Sequence, residues 1–322
     1  MAGRSLLLIG GSGFFGKSFL DVFRRGQLAQ WSIDRVVVVA RGASTLRRDH
    51  PALVGTGVTL LDADVARGEE LPTADVVLHA AASTDARRYA ADPDAERANI
   101  LAAAENYARL AERLHRSSRI VFASSGAVYG PQPADLPEVA EDFVPGEASE
   151  LAADKATYAE AKRLSEARIA ALGTAGIPTA IARCFAFVGH HLPRDQHFAI
   201  GNFLADGLAG RPIEVKARKA VYRSYMHADD LVRWLMTLAD AADREAPVYN
   251  VGSDEALTMG EIAQVVARRF GVPADVPPVS DPAIDRYVPS IARARAELGL
   301  NLSFDLASAI DDVATRIEAE RG

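Results

Sequence analysis

Gly10-Gly11-Ser12-Gly13-Phe14-Phe15-Gly16 is the stretch that decides how this chain is read. It follows the apolar run Leu6-Leu7-Leu8-Ile9 and precedes a helical pattern over residues 14–26. A buried strand, a glycine turn and a helix start, in that order, make a cradle for an anion. Glycine accepts positive φ and lets the backbone approach a ligand closely, and the helix start adds N–H donors and partial positive charge. Two spacings are satisfied together: G-x-G-x-x-G through Gly11, Gly13 and Gly16, and G-x-x-G-x-x-G through Gly10, Gly13 and Gly16. After a first strand, either spacing points to a dinucleotide pyrophosphate. A tight β–α turn without ligand is the blander reading of the same residues.

Outward from that loop, short β-branched runs alternate with longer helical stretches. Strands are expected at 5–9, 36–40, 58–61, 76–79, 119–124 and 179–184, with helices over 14–26, 94–116 and 154–172. Asp94 and Asp154 read as N-caps, and Gly173 and Gly176 as stop signals. The alternation predicts an α/β fold with a doubly wound parallel sheet of Rossmann type. After Cys184 the pattern turns mixed, with a His/Pro-rich loop at 189–193 and a helix over 198–209. Short strands follow at 213–215, 224–226 and 248–250. Thr258 and Glu261 form a capping box before a helix to Arg269; a Pro-rich stretch at 273–282 and a last helix near 304–319 complete the chain. Residues 1–185 are thus expected to form the dinucleotide-binding domain, rejoined by part of 217–250, and 186–322 a smaller mixed α/β substrate region. The stretch 131–150 reads as a long functional loop.

Composition narrows the class. The 322 residues are 49% hydrophobic and 25% charged, an ordinary globular balance. A net charge of −7 argues against nucleic acid as a partner, because neutralising phosphates needs a basic excess. Cys184 is the one cysteine, so no internal disulfide forms and no metal-ligand spacing exists; a cytoplasmic location is expected. No run approaches the roughly 20 apolar residues of a membrane span, so no membrane association is expected.

The second expected strand ends in Val38-Val39-Ala40-Arg41, with Arg47 and Arg48 close by and no carboxylate at its tip. An acid there would bind the ribose 2′-hydroxyl of NAD, whereas an arginine suits the 2′-phosphate of NADP. NADP is therefore preferred to NAD, with a solvated loop arginine as the alternative role for Arg41. Tyr158 and Lys162 lie four apart on an expected helix and share a face. A free phenol has a pKa of about 10, so action as a base near neutrality needs a depression of about three units, or about 4 kcal/mol. A neighbouring ammonium and a cationic ring supply that together. Alone, Tyr-x-x-x-Lys is equally an exposed helical pair. It gains meaning from Ser124-Ser125-Gly126, which ends the fifth strand at the carboxyl edge of the sheet, where a serine hydroxyl can bond the reacting oxygen.

These motifs make the chain resemble the NAD-dependent epimerase/dehydratase family, extended short-chain dehydrogenases/reductases that act on nucleotide sugars. Residues 10–16, with Phe14 and Phe15 at the helix start, look like its cofactor signature. Asp64-Val65 is similar to its adenine-contacting pair, and His79-Ala80-Ala81-Ala82 to its cofactor-lining fourth-strand motif. Asn99 falls where the family has a structural asparagine, and Ser124 lies beside the cofactor by the same resemblance. Ser125, Tyr158 and Lys162 match the catalytic triad: Tyr158 moves the proton, Lys162 orients it and holds the nicotinamide ribose, and Ser125 positions the sugar oxygen. Arg223-Ser224-Tyr225-Met226-His227-Ala228-Asp229-Asp230 is similar to the R-x-Y-x-H-x-x-D segment, whose arginine grips the substrate diphosphate. His190 and His191 lie where some relatives keep a catalytic histidine, and His191 is taken as a substrate contact. The resemblance also implies a homodimer built from the 94–116 and 154–172 helices.

Departures from the family pattern order the reactions. Where its 4,6-dehydratases carry Asp-Glu after the catalytic hydroxyl residue, and its decarboxylases a Glu, this chain has Gly126-Ala127. Elimination and decarboxylation thus become minor options. Ala186 replaces an asparagine common after the sixth strand, which puts ordinary uridine-diphosphate recognition in doubt. A reductase of 4-keto sugars using reduced NADP is favoured by Arg41, and an NAD-dependent 4-epimerase is the alternative. A dinucleotide-binding sensor or scaffold is the non-enzyme reading, but such relatives lose the tyrosine or lysine kept here.

Overall fold

A computed structural model of the protein describes residues 3–82, 87, 91–144, 153–196 and 198–321. Its main sheet has seven strands: β1 Arg4–Ile9, β2 Ile33–Ala40, β3 Val58–Asp62, β4 Val76–His79, β5 Arg119–Ser125, β6 Thr179–Cys184 and β7 Val248–Val251. Their order is β7-β6-β5-β4-β1-β2-β3, and the pairs β1–β2, β1–β4, β2–β3 and β4–β5 are parallel. The strand order reverses beside β1, so the expected Rossmann sheet is present with its switch point at the glycine loop. Helices α1 Phe14–Arg24, α2 Pro93–Leu114 and α3 Ala153–Thr174 follow β1, β4 and β5. Crossover helices cover the sheet, which is why Leu6 to Ile9 are at most 1% exposed and all of β4 is buried.

The chain divides into two compact units. The first contains Met1–Val128, Ala148–Arg183 and Val232–Tyr249; the second contains Tyr129–Glu147, Cys184–Leu231 and Asn250–Gly322. In the first, Leu7, Ile9, Val77, Ile120 and Phe122 from the sheet share one core with Ala103, Tyr107 and Leu110 of α2 and Ile169 and Leu172 of α3. Glu166 on α3 pairs with Arg183 on β6 at 3.0 Å in a largely buried position. Arg119, opening β5, donates to the carbonyls of Ala239, Asp240 and Ala242 at the end of the helix Ala228–Ala241. Ala239 O also accepts from the Ala242 amide at 3.3 Å, and the guanidinium adds a charged donor at a helix end where carbonyls run out of intrahelical amides.

In the second unit, Lys219–Arg223 pairs antiparallel with Leu257–Thr258 and parallel with Asp281–Tyr287. Two further two-strand pieces join Phe187–Val188 to Met226–His227 and Ile213–Glu214 to Ala274–Asp275. The helices are Ala199–Leu208, Met259–Phe270, Ala292–Leu298 and Leu306–Arg321, and the first turn of Ala228–Ala241 also falls here. Thr258 and Glu261 make the expected capping box. Fully buried Asn250 accepts from the Tyr129 hydroxyl at 2.8 Å and donates to Val139 O at 2.8 Å and Ser290 O at 3.0 Å.

Several boundaries differ from expectation for physical reasons. Asp92, not Asp94, caps α2, accepting from the Ala95 amide at 2.9 Å. Pro93 has the fixed φ of a first helical residue, so the cap falls just before it. Asp154 is the second residue of α3 as bounded, Ala153–Thr174, and not the residue before it. Gly173 is also internal, because α3 runs to Thr174 and packs against Arg244 O, whereas Gly176 takes φ +83°. The strand expected at 224–226 is split, since Lys219–Arg223 keeps its own sheet and Met226–His227 pairs with Phe187–Val188. The 273–282 stretch contributes strands despite its prolines. Pro282 falls within the register shift between Asp281 and Ile284, where no ladder hydrogen bond is demanded of it.

Candidate active site

The first unit gathers most of the expected site. Gly10 has φ +83°, and a Cβ added there would meet Ala80 C, Ala80 O and Ala81 Cα at 2.7 Å. The loops after β1 and β4 therefore pass each other with no room for a side chain. The Ala80 amide donates to Ile9 O at 2.8 Å and the Ala82 amide to Ala80 O at 3.0 Å, which fixes this crossing. A Cβ on Gly16 would run into the backbone of Gly11, so the third glycine is dictated by helix-to-turn packing. At Gly13 the nearest atom would be Gly10 O at 3.5 Å, so this position opens outward. Gly13 caps α1 with no side-chain bond, and Phe14 and Phe15 begin the helix with no acid in its first turn.

At the carboxyl end of β2, Arg41 is exposed directly after the strand. Asp62, paired in register with Ala40, brings a carboxylate to the same level. Its oxygens accept from the Ser44 amide at 2.8 Å and the Ser44 hydroxyl at 2.5 Å. The Ser44 hydroxyl and amide hold the Asp62 carboxyl below its usual range. Asp64 accepts from the Ala66 amide at 3.0 Å and begins a turn that contains buried Val65. Asn106 on α2 donates to Val65 O at 2.8 Å and Gly68 O at 2.7 Å and so holds that turn. Asn99, two turns earlier on the same helix, is half-buried. Sequence reading had missed Asn106.

The expected chemical centre lies at the ends of β4 and β5. Lys162 is 2% exposed, donates to Ala123 O at 2.7 Å, and lies 4.6 Å from the Phe122 ring centroid. Half-buried Tyr158, one turn earlier on α3, packs against the buried pair Ile100 and Ala161, as does Ala82 after β4. Ser125 accepts from the Ala127 amide at 3.2 Å, and the Ser124 hydroxyl is buried with no partner among the described residues. His79 is fully buried against Tyr107 at 4.8 Å and Phe122 at 5.4 Å. Burial, and secondarily the Lys162 charge, lower its pKa to about 4.

Within the second unit, Arg223 pairs with Asp285 at 2.9 Å, and Lys219 reaches the same carboxylate at 3.2 Å. Burial pushes the Asp285 carboxyl up, but the bonds and charges of Arg223 and Lys219 outweigh it and leave the pKa lowered. The ring of half-buried His191 stands perpendicular to that of His190 at 4.7 Å, and His190 faces Glu320 at 3.0 Å. Other residues of the arginine-containing motif bond within the same unit. His227 accepts from the Asp229 amide at 3.2 Å and faces Asp312 at 3.1 Å, while buried Asp230 accepts from the Ser303 amide at 2.7 Å.

A family model, the NAD dependent epimerase/dehydratase family, matches residues 6–252. The chain belongs to that family. It is 25% identical over 304 residues to UDP-glucuronic acid decarboxylase 6 of Arabidopsis thaliana, covering 91% of this chain and 83% of that one. It is 26% identical over 302 residues to UDP-glucuronic acid decarboxylase 1 of Danio rerio, covering 92% and 68%. Among solved structures, a UDP-glucose 4-epimerase of Thermotoga maritima with UDP-glucose gives a TM-score of 0.81 at 17% identity, covering 99% and 100%. A dTDP-glucose 4,6-dehydratase of Streptomyces venezuelae with NAD bound gives 0.79 at 20% identity, covering 99% and 98%. At these identities the structural matches establish the shared fold.

The depressed pKa of His79 has a consequence for stability. Its unfolded value is about 6.5 and its folded value about 4, so the unfolded chain takes up a proton first as pH falls. The contribution is intact above pH 6.5 and is lost progressively between 6.5 and 4. Urea unfolding at pH 6.5 and pH 5 is expected to differ by about 2 kcal/mol on this account. A His79→Phe variant should lack that part of the slope; an unchanged slope would contradict the assignment.

Proposed function

We propose that the protein is a nucleotide-sugar enzyme whose first unit holds a nicotinamide dinucleotide and moves a proton through Tyr158 at a sugar C4 oxygen. The observation that carries this reading is the joint placement of Tyr158 in one small cluster with Ala82 and of Lys162 on Ala123 O, at the carboxyl ends of β4 and β5. The fit to a dinucleotide is supported by the side-chain-free crossing at Gly10, the outward opening at Gly13 and the uncapped start of α1. Gly10, Gly13, Phe14, Phe15 and Gly16 would hold the pyrophosphate. Arg41, Asp64 and Val65 would hold the adenosine; Ala80, Ala81, Ala82, Asn99, Ser124 and Lys162 would complete the cofactor contacts. Bound there, the dinucleotide supplies hydride exchange with the sugar carbon.

The protein's own part is proton handling and positioning. Lys162, anchored by Ala123 O, places a positive charge one turn from the phenol and favours its ionised form. Ser125 presents a hydroxyl to the same sugar oxygen. In the second unit Arg223, with His191, is assigned to the substrate. Asp285 already neutralises part of the Arg223 charge, so a diphosphate would share that guanidinium with it. Gly126 and Ala127 provide no acid for elimination, which favours simple hydride transfer over the dehydratase and decarboxylase reactions. Arg41 is exposed and pairs with no described carboxylate, and Asp62 is engaged by Ser44. Both facts support NADPH and hence a 4-keto sugar reductase. The in-register carboxylate of Asp62 is the observation that favours the second reading, an NAD-dependent 4-epimerase.

Tyr158→Phe is expected to lower turnover at least about a hundredfold while leaving cofactor affinity within about twofold. A panel of UDP- and dTDP-sugars and their 4-keto forms supplies the assay. A variant as fast as wild type on any sugar that wild type converts would refute the role.

Intrinsic-fluorescence titration should show NADPH binding tighter than NADH, with Arg41→Ala removing about tenfold of that preference. Tighter NADH binding, or NAD retained in native mass spectrometry, would move the assignment to the epimerase.

A homodimer through α2 and α3 is part of the proposal. The two helices pack together, with ion pairs Arg97–Glu160 and Arg168–Glu105, and leave Leu164 45% exposed. Light scattering at micromolar concentration should give twice the chain mass of 34.4 kDa, and a monomer would contradict it.

A further inference from the structure

The segment Ala123–Val128 carries both serines of the proposed site, and two consecutive residues of α3 hold its ends. Lys162 donates to Ala123 O at 2.7 Å, and Arg163 donates through Nε to Val128 O, also at 2.7 Å. Between these anchors the chain leaves β5 and enters the short turn Gly126–Tyr129. Ser125 accepts from the Ala127 amide inside that turn, so the direction of its hydroxyl follows the position of the turn. The Val128 carbonyl lies where a helical turn leaves its acceptors without internal partners, and a charged donor satisfies it. Arg163 Nη2 is buried with no hydrogen-bond partner among the described residues. Desolvating a guanidinium N–H without a partner is costly, and surface capping alone would not require it.

We infer that Arg163 is a positioning residue for the reaction: it fixes the Ser125 turn relative to Tyr158 and Lys162 by holding Val128 O from the same helix. This rests on the proposed proton-transfer role of Tyr158 and Ser125. Because Lys162 and Arg163 are neighbours on one rigid helix, serine and tyrosine keep one register, and a shift of about 1 Å in such a constellation costs as much as a hundredfold in rate. Arg163 touches neither sugar nor cofactor in this assignment. Its loss therefore lowers kcat and leaves binding unchanged.

The test uses the full chain with Arg163→Met and Arg163→Lys. Amide hydrogen exchange by mass spectrometry needs no substrate. In Arg163→Met, exchange is expected to quicken over residues 124–130 and to stay at the wild-type rate over β1 and the glycine loop. Unchanged exchange at 124–130, or acceleration spread through the whole unit, overturns the inference. On whichever sugar of the panel wild type converts, Arg163→Met should lower kcat about ten- to a hundredfold. KM and NADPH affinity should stay within about twofold, and Arg163→Lys should recover most of the rate. A loss residing in KM, or no rescue by lysine in a variant that folds, also overturns it. If wild type converts none of the panel while exchange responds as expected, the positional claim stands and the proposed reaction fails. If wild type is active and Arg163→Met is equally fast, the reaction stands and the inference fails.

Discussion

The ammonium of Lys162, taken out of water and bound to Ala123 O, is the constraint around which the first unit is organised. A charge in that position is tolerated only with partners, because an isolated buried ammonium would lose its proton or leave the core. The carbonyl at the end of β5 and the face of Phe122 are among those partners. They tie α3 to the carboxyl edge of the sheet at one defined rotation. Tyr158, one turn earlier, is thereby committed to the neighbourhood of Ala82, and the β4 loop to that of Gly10. His79 completes the pattern: burial, and secondarily the Lys162 charge, keep its imidazole neutral across the physiological range.

What the sequence revealed follows from how local each feature is. The glycine loop, β1 to β6, the Tyr158/Lys162 spacing and the capping box at Thr258 are written within a few residues of one another, so propensity and periodicity disclose them. The helix Ala228–Ala241 was legible in principle, since Leu231, Val232, Leu235 and Leu238 are all buried, but the adjacent polar motif obscured it. Asp281–Tyr287 was not legible. Its strand character comes from pairing with Lys219–Arg223, some sixty positions away, and overrides a proline-rich composition.

Site residues divide the same way. Ser125 and Lys162 were identifiable as types in a pattern, whereas their anchors, Ala123 O and Val128 O, are backbone atoms and leave no signature in the sequence. Arg223 was identifiable as a cation, but its pairing with Asp285 was not, and that pairing changes its electrostatic meaning. Asn106 was not identifiable either, because the carbonyls of Val65 and Gly68 that it holds lie about forty positions away and carry no residue-type signal.

Asn250 has a bearing on how the chain is born. Among the described residues, its side chain bonds to groups 121 residues earlier, 111 residues earlier and 40 residues later. At roughly 5–20 residues per second, a ribosome releases the Tyr129 region about 6 to 24 s before Asn250 exists. Through that interval neither unit can close: the first still waits for the strand that ends at Val251, and the second for Asn250 and then for Ser290, a further 40 residues on. Both units therefore reach completion only as the last part of the chain leaves the ribosome, so a truncated translation product would hold neither in its folded form.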